Sequence, residues 1–180
     1  MAGRLVDRKR LQAFLERLNM ALDQPGAIFL LGGSSLTWRG IKQESADIDL
    51  QIVETDDPIP LLDAIAQAGD FIETRVDVMR LAQEMPLPEG YEERAEPAAD
   101  FGKLTVYHFD PYSIALTKLA RSATKDINDI EAMLRSGLID CERLHNHFES
   151  VMVSYRQHSQ RPKYEDFQRK VEKFYHEHCE

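Results

Sequence analysis

The sequence predicts an α+β fold: a small mixed sheet flanked by helices over residues 1–110, followed by a helical region over 111–180. Three observations carry this expectation. Short β-prone apolar runs recur before residue 110, helical spacings of three and four separate them, and beyond Asp110-Pro111 only the helical spacing persists.

The first helix is expected over 8–22, where Leu11, Phe14, Leu15, Leu18 and Leu22 form one apolar stripe. Asp23-Gln24-Pro25-Gly26 stops it, and the unbroken run Ala27-Ile28-Phe29-Leu30-Leu31 reads as a buried strand. A Gly-Gly-Ser-Ser-Leu turn follows. Residues 47–53 form the next strand, with Ile48, Leu50 and Ile52 on one face and Asp47, Asp49 and Gln51 on the other. Pro58 and Pro60 open a helix through Leu61, Leu62, Ile65 and Ala66, ended by Gly69. Residues 71–81 alternate as a third strand that contains Asp77. The stretch 82–102 reads as loop, and Lys103–Phe109 as a further strand. Helices are then expected around Ile114, Leu116 and Leu119, and around Ile127, Ile130, Met133 and Leu134, the latter closed by Ser136-Gly137. Two more helices fill the last 40 or so residues, and no internal repeat or low-complexity linker is visible.

Composition narrows the function. With 180 residues, 43% hydrophobic and 29% charged, the chain can bury a real core. A formal net charge of −9 disfavours broad adhesion to nucleic acid or anionic membrane, while leaving room for a local basic pocket. The N-terminal residues lack the apolar stretch of a signal peptide, and no apolar run approaches the ~18–20 residues of a membrane span. Cys141 and Cys179 stand in polar surroundings and do not suggest a disulfide framework. A reduced, soluble, cytoplasmic protein is expected.

Asp47 and Asp49 demand an explanation, because Asp is a poor strand former. At i and i+2 of a strand they point to one side, about 7 Å apart along the backbone. Two converging carboxylates repel unless cations lie between them or one is protonated. A pair of magnesium ions fits, sharing its oxygen shell with substrate phosphate. Asp77, on the neighbouring predicted strand, offers a third carboxylate, although an edge-strand Asp facing water explains it equally well. The turn supplies the complement: Gly32 and Gly33 let backbone N–H groups approach an anion, and Ser34 and Ser35 offer hydroxyl donors to phosphate oxygens. The glycine spacing is neither a Walker A loop nor a dinucleotide fingerprint. Phosphate on one side and metal carboxylates on the other describe a nucleoside-triphosphate site. Trp38, after the turn, reads as a packing residue or as a surface for a base.

The glycine turn followed by Asp-x-Asp resembles the DNA-polymerase-β-like nucleotidyltransferase superfamily, whose sheet type the first 110 residues would share. Two stretches are similar to the small bacterial nucleotidyltransferase-like proteins related to abortive-infection type II toxins: LGGSSLTWRGIKQESADIDL, with Arg39 and Ser45 before the acid pair, and LPEGYEERA followed by LTVYHFDPYSIALTKLARSATKDINDIEAMLRSGLID. The resemblance covers residues ~27–140. It implies magnesium on Asp47 and Asp49, and a nucleotide pocket lined by Lys118 and by Asp126 or Asp129. Lys118, Arg121 and Lys125 recur at spacings of three and four, a basic stripe suited to a triphosphate or, equally, a solvated face paired with Asp126 and Asp129. Arg39 adds positive charge near the turn. The implied reaction moves a nucleoside monophosphate from a triphosphate to an acceptor hydroxyl, on an RNA end such as transfer RNA, a protein side chain or a small molecule, and releases pyrophosphate. The alternative is a nucleotide-sensing or partner-binding module without turnover, such as one member of a toxin–antitoxin pair. A further reading concerns the tail, where His145, His147, His158, His176 and His178 cluster and where His176, His178 and Cys179 could ligate zinc, at a spacing that fits no standard finger.

Overall fold

A computed structural model describes residues 5–158 and 161–179, with no side-chain account of 157, 158, 161 and 162. The α+β expectation holds. Among the described residues there are eight helices, a five-stranded mixed sheet and a two-stranded sheet. In chain order these are β1 Val6–Asp7, α1 Arg8–Ala21, β2 Gly26–Leu30, α2 Gly32–Trp38, β3 Glu44–Ser45, β4 Ile48–Ile52, α3 Ile59–Phe71 and β5 Val76–Val78. Then come α4 Leu81–Glu84, β6 Glu96–Asp100, β7 Leu104–His108, α5 Pro111–Arg121, α6 Thr124–Arg135, α7 Cys141–His158 and α8 Arg161–His178. None of these helices is long and apolar enough to cross a membrane.

The chain divides into two compact units, residues 1–79 with 95–109, and 80–94 with 110–180. In the first, the sheet order is β5-β4-β2-β7-β6. β2 runs antiparallel to β4 and parallel to β7, and β4 runs parallel to β5. One sheet face carries Ile28, Leu30, Ile48, Leu50, Leu104 and Val106, which form a single core with α1 and α3. The α1 stripe of Leu11, Phe14, Leu15 and Leu18 is wholly buried there. Each such side chain contributes roughly 1.5–3 kcal/mol relative to exposure. Asp7 starts α1 by accepting the Arg10 N–H at 2.8 Å. The second unit is helical. Asp110 caps α5 through the Tyr112 and Ser113 N–H groups at 3.2 and 3.1 Å, with Pro111 at the first helical position. α7 and α8 pack through Phe148, Tyr155 and Phe167, with ring centroids 5.5 Å apart in both pairs that involve Phe167.

Several expectations are corrected. The strand expected over 71–81 shrinks to Val76–Val78, because α3 runs past Gly69 to Phe71 and stops where Glu73 turns left-handed, at φ +51°. The 82–102 stretch is not all loop. It holds α4 and the edge strand β6, where Pro97 is tolerated beside a register shift between Pro97 and Ala99. The two cysteines are not free: Cys141 and Cys179 form a disulfide with a Cα–Cα distance of 5.9 Å. It joins the start of α7 to the end of α8, and the Tyr175 hydroxyl donates to the Cys141 carbonyl at 2.6 Å beside it. A zinc thiolate at Cys179 is thereby ruled out, and His178 instead stacks on Phe174 and meets Glu131 at 3.3 Å. The side chain of His158 lies outside the described residues.

The crosslink spans 38 residues of sequence. By loop-closure entropy, its removal should cost the helical unit about 3–4 kcal/mol. Thermal denaturation with and without dithiothreitol, and of Cys141→Ser, should show matching losses of stability.

Candidate functional site

The sheet register builds the acidic cluster. Ile48 and Leu50 point into the core at 0% exposure, so Asp49, between them, is driven to the opposite face. Asp47 directly precedes the strand. β5 lies parallel with Asp77 opposite Asp49, held by Ile48 N–H to Arg75 carbonyl (3.0 Å) and Met79 N–H to Leu50 carbonyl (2.9 Å). One oxygen from each of Asp47, Asp49 and Asp77 lies within 4.8 Å of the others. All three residues are half-buried. Arg75, one strand position before Val76, donates from Nε to Asp77 at 2.8 Å. Its guanidinium is held above its ordinary value first by that hydrogen bond and the Asp77 charge, and more weakly by Asp47 and Asp49. An Arg-x-Asp spacing on a strand was the available signal for this cation.

The glycine turn lies against the same cluster. Gly32 has φ +43°, a left-handed conformation, and a Cβ there would stand 3.1 Å from Asp49 Oδ2. A side chain at Gly32 would be strained by this backbone and would press on the Asp49 carboxylate. Gly33 serves a different neighbour, since its missing Cβ is replaced by the Ser45 hydroxyl, with Lys42 Nζ nearby. The Asp49 N–H donates to Ser34 Oγ at 3.0 Å, and the Leu31 N–H donates to the Asp49 carbonyl at 3.0 Å. Turn and strand are therefore joined at Asp49 on both sides of the peptide. Leu31, the N-cap of α2, provides no side-chain acceptor for the first helical N–H groups.

Further along α2, Ser35 Oγ and His108 Nδ1 are 2.8 Å apart in a buried pair that the sequence did not announce. Burial, then the charge of Arg39, lowers the His108 imidazole to about 4, so it is neutral at neutral pH. Arg39 pairs with Glu96 at 2.9 Å, which places it at the β6 end of the sheet. Trp38 packs: its indole N–H donates to the Ala98 carbonyl at 3.3 Å, its ring meets Phe101, and the Arg8 guanidinium lies 5.2 Å from its centroid.

In the helical unit Lys118 is buried, and its ammonium reaches Asp129 at 2.7 Å and Asp126 at 3.4 Å. Arg121 reaches Asp126 at 2.9 Å from a side chain that is 56% exposed. Burial alone would raise Asp126, but the hydrogen bond and charge of Arg121, with Lys118, outweigh it and hold the carboxyl below its ordinary value. The basic stripe expected through Lys125 is broken. Ser122 at φ +55° ends α5, so Lys125 belongs to α6 and is exposed. The two carboxylates, three apart on α6, instead close over the last turn of α5.

A mixed sheet brings a glycine turn beside three converging acids, and the chain belongs to a nucleotidyltransferase family. That family, DUF6036, is described as a nucleotidyltransferase of unknown function, and its model matches residues 8–178. No curated protein and no solved structure matches the chain at a significant level.

Replacing Lys118 by Met leaves two buried acids without their shared cation and should cost about 3–5 kcal/mol. The same change at Arg121, whose side chain is largely in water, should cost far less. Urea denaturation of the two variants checks the contrast.

Proposed function

We propose that this protein is a magnesium-dependent nucleotidyltransferase that moves a nucleoside monophosphate from a nucleoside triphosphate to an acceptor hydroxyl, releasing pyrophosphate. The observation that supports it is the convergence of Asp47, Asp49 and Asp77 beside the Gly32 turn, in a chain of a nucleotidyltransferase family. The cluster suits a hard divalent cation: three carboxylate groups, oxygen donors only, close enough to share an ion or an ion pair. Magnesium held by Asp47 and Asp49 would supply Lewis-acid chemistry to the acceptor hydroxyl and to the departing pyrophosphate.

The chain's own groups do the rest. Asp47 and Asp49 hold the cation, and Asp77 joins them as ligand or takes the hydroxyl proton as general base. The acceptor oxygen bonds to the α-phosphorus, and the bond from that phosphorus to the bridging oxygen breaks. Pyrophosphate leaves with the bonding electrons. The N–H groups of Gly32, Gly33 and Ser34, which meet no capping side chain from Leu31, are proposed to receive the polyphosphate. Arg39 contributes fixed positive charge, offset in part by Glu96. Within the helical unit, Lys118 with Arg121, Asp126 and Asp129 is the nucleotide-lining group that the family resemblance assigns. The acceptor is an RNA end, a protein side chain or a small molecule. A non-catalytic sensing role is the alternative, and the position of Asp77 beside Asp47 and Asp49 favours the enzymatic reading over it.

Incubation with labelled triphosphates, magnesium and cell extract should transfer label to an acceptor, and Asp49→Ala should reduce transfer at least about a hundredfold. Equal signals from wild type and Asp49→Ala, or none from either, would remove the proposal. Arg75 competes with the metal for Asp77, so Arg75→Gln should tighten magnesium binding about threefold to tenfold. Calorimetric titration at low ionic strength measures the change, and added salt should shrink it.

A further inference from the structure

The sheet face that bears the acids carries more than acids. Opposed residues share a face, so its side chains fall into rows. The first row is Asp77, Asp49, Leu31 and Phe109. The second is Gln51, Phe29 and Tyr107, by the registers Phe29↔Gln51 and Phe29↔Tyr107. The second row begins about 7 Å from Asp49 along β4, and Phe29 stands one strand, about 5 Å, to the side. Phe29 and Tyr107 are only half-buried, unlike the aliphatic residues of the opposite face. Phe29 is nonetheless fixed in place: its ring meets buried Phe109 edge-on at 5.3 Å and Tyr107 at 5.8 Å with a 45° tilt. The third row, Val53, Ala27 and Thr105, is small, and together with the core-side Leu22 and Leu61 it lines a cavity of about 280 Å³ at that end of the sheet. That volume sits just below the ~300–1,000 Å³ of ordinary small-molecule sites.

We infer that Phe29 and Tyr107 form a ledge that stacks the base of the nucleoside triphosphate, with the base edge directed toward the cavity floored by Ala27, Val53 and Thr105. The inference rests on the nucleotidyltransferase reading and adds to it the part of the substrate that the acids and the turn leave unbound. Three observations combine in its favour. Two half-buried aromatic rings, Phe29 and Tyr107, stand one and two strands from β4 in the row next to Asp49. Stacking on such rings suits a nucleobase, because every base has a π-face. Charge then sets the direction: Asp23, Glu54 and Asp57 line the far cavity and repel phosphate, while the glycine turn at the other end presents N–H groups. A nucleotide lying along the face therefore has one favourable polarity, with phosphates at the turn and base at the ledge.

Calorimetry in magnesium tests this with each common nucleoside triphosphate and with inorganic tripolyphosphate as a base-free probe. Wild type should bind at least one nucleoside triphosphate about tenfold or more tighter than tripolyphosphate. Phe29→Leu and Tyr107→Leu should each remove most of that preference while leaving tripolyphosphate affinity within about twofold, and Tyr107→Phe, which keeps the ring, should retain it. Circular dichroism confirms that the variants are folded. A preference that survives both leucine variants overturns the ledge and leaves the metal reading standing. Variants that lose affinity only for a single-stranded oligonucleotide overturn it too, by assigning the rings to an acceptor. A wild type that binds neither triphosphate nor tripolyphosphate sinks the metal reading and this inference together.

Discussion

The packing of one sheet face dictates the electrostatics of the other. Ile48 and Leu50 are locked into the core with Ile28, Leu30 and Val106, and a one-residue slip of β4 would turn both into water. That slip would forfeit several kcal/mol of burial, more than the mutual repulsion of half-buried carboxylates recovers. Asp49 therefore cannot leave the opposite face, and the parallel register of β5 brings Asp77 to it. The hydrophobic core is what holds like charges together. Arg75 relieves some of that repulsion from its solvent-exposed position, and a divalent ion would relieve far more.

How legible this was depended on whether the signal was local. The alternation of Ile48, Asp49, Leu50, Gln51 and Ile52 declares both faces of β4 in five letters, and the α1 stripe declares its helix equally well. The acid pair and the glycine turn could be joined because both flank apolar strands close in sequence. Asp77 was visible as a residue, but its partnership required a strand register that no local pattern encodes. β6 escaped because Pro97 reads as loop, and its edge position and bulge excuse the proline only once the sheet is known. The Cys141–Cys179 bond was hidden for a similar reason. It depends on α7 and α8 folding back along each other, while the sequence shows two isolated cysteines 38 residues apart. The break after Arg121 was missed because Ser122 takes a left-handed conformation more typical of Gly or Asn.

The helical unit handles charge by a different rule. Lys118 is buried, and an isolated buried ammonium is costly, so α6 supplies two carboxylates at i and i+3 to meet it. Arg121 then restores the balance of charge from the solvent side. Every charge in this group has a partner, and the arrangement is self-sufficient. In the sheet the three carboxylates instead converge at one half-buried point, where Arg75 pairs with Asp77 from the solvent side.

The two faces of the sheet also differ in what their apolar residues accomplish. On the core side the aliphatic side chains are completely buried and are explained by stability alone. On the acid side, Phe29 and Tyr107 keep exposed surface, so only part of their apolar area contributes to the fold. Smaller strand-forming residues would satisfy the pleat there equally well, as Ala27, Val53 and Thr105 do one row away. Large rings next to carboxylates, followed by small residues lining a cavity, make a graded surface: charged, then flat and apolar, then hollow. A nucleotide laid along this face sets its phosphates at the charged end and its planar base on the rings, with the base edge toward the hollow, and that match is the physical reason to read the face as a single binding surface.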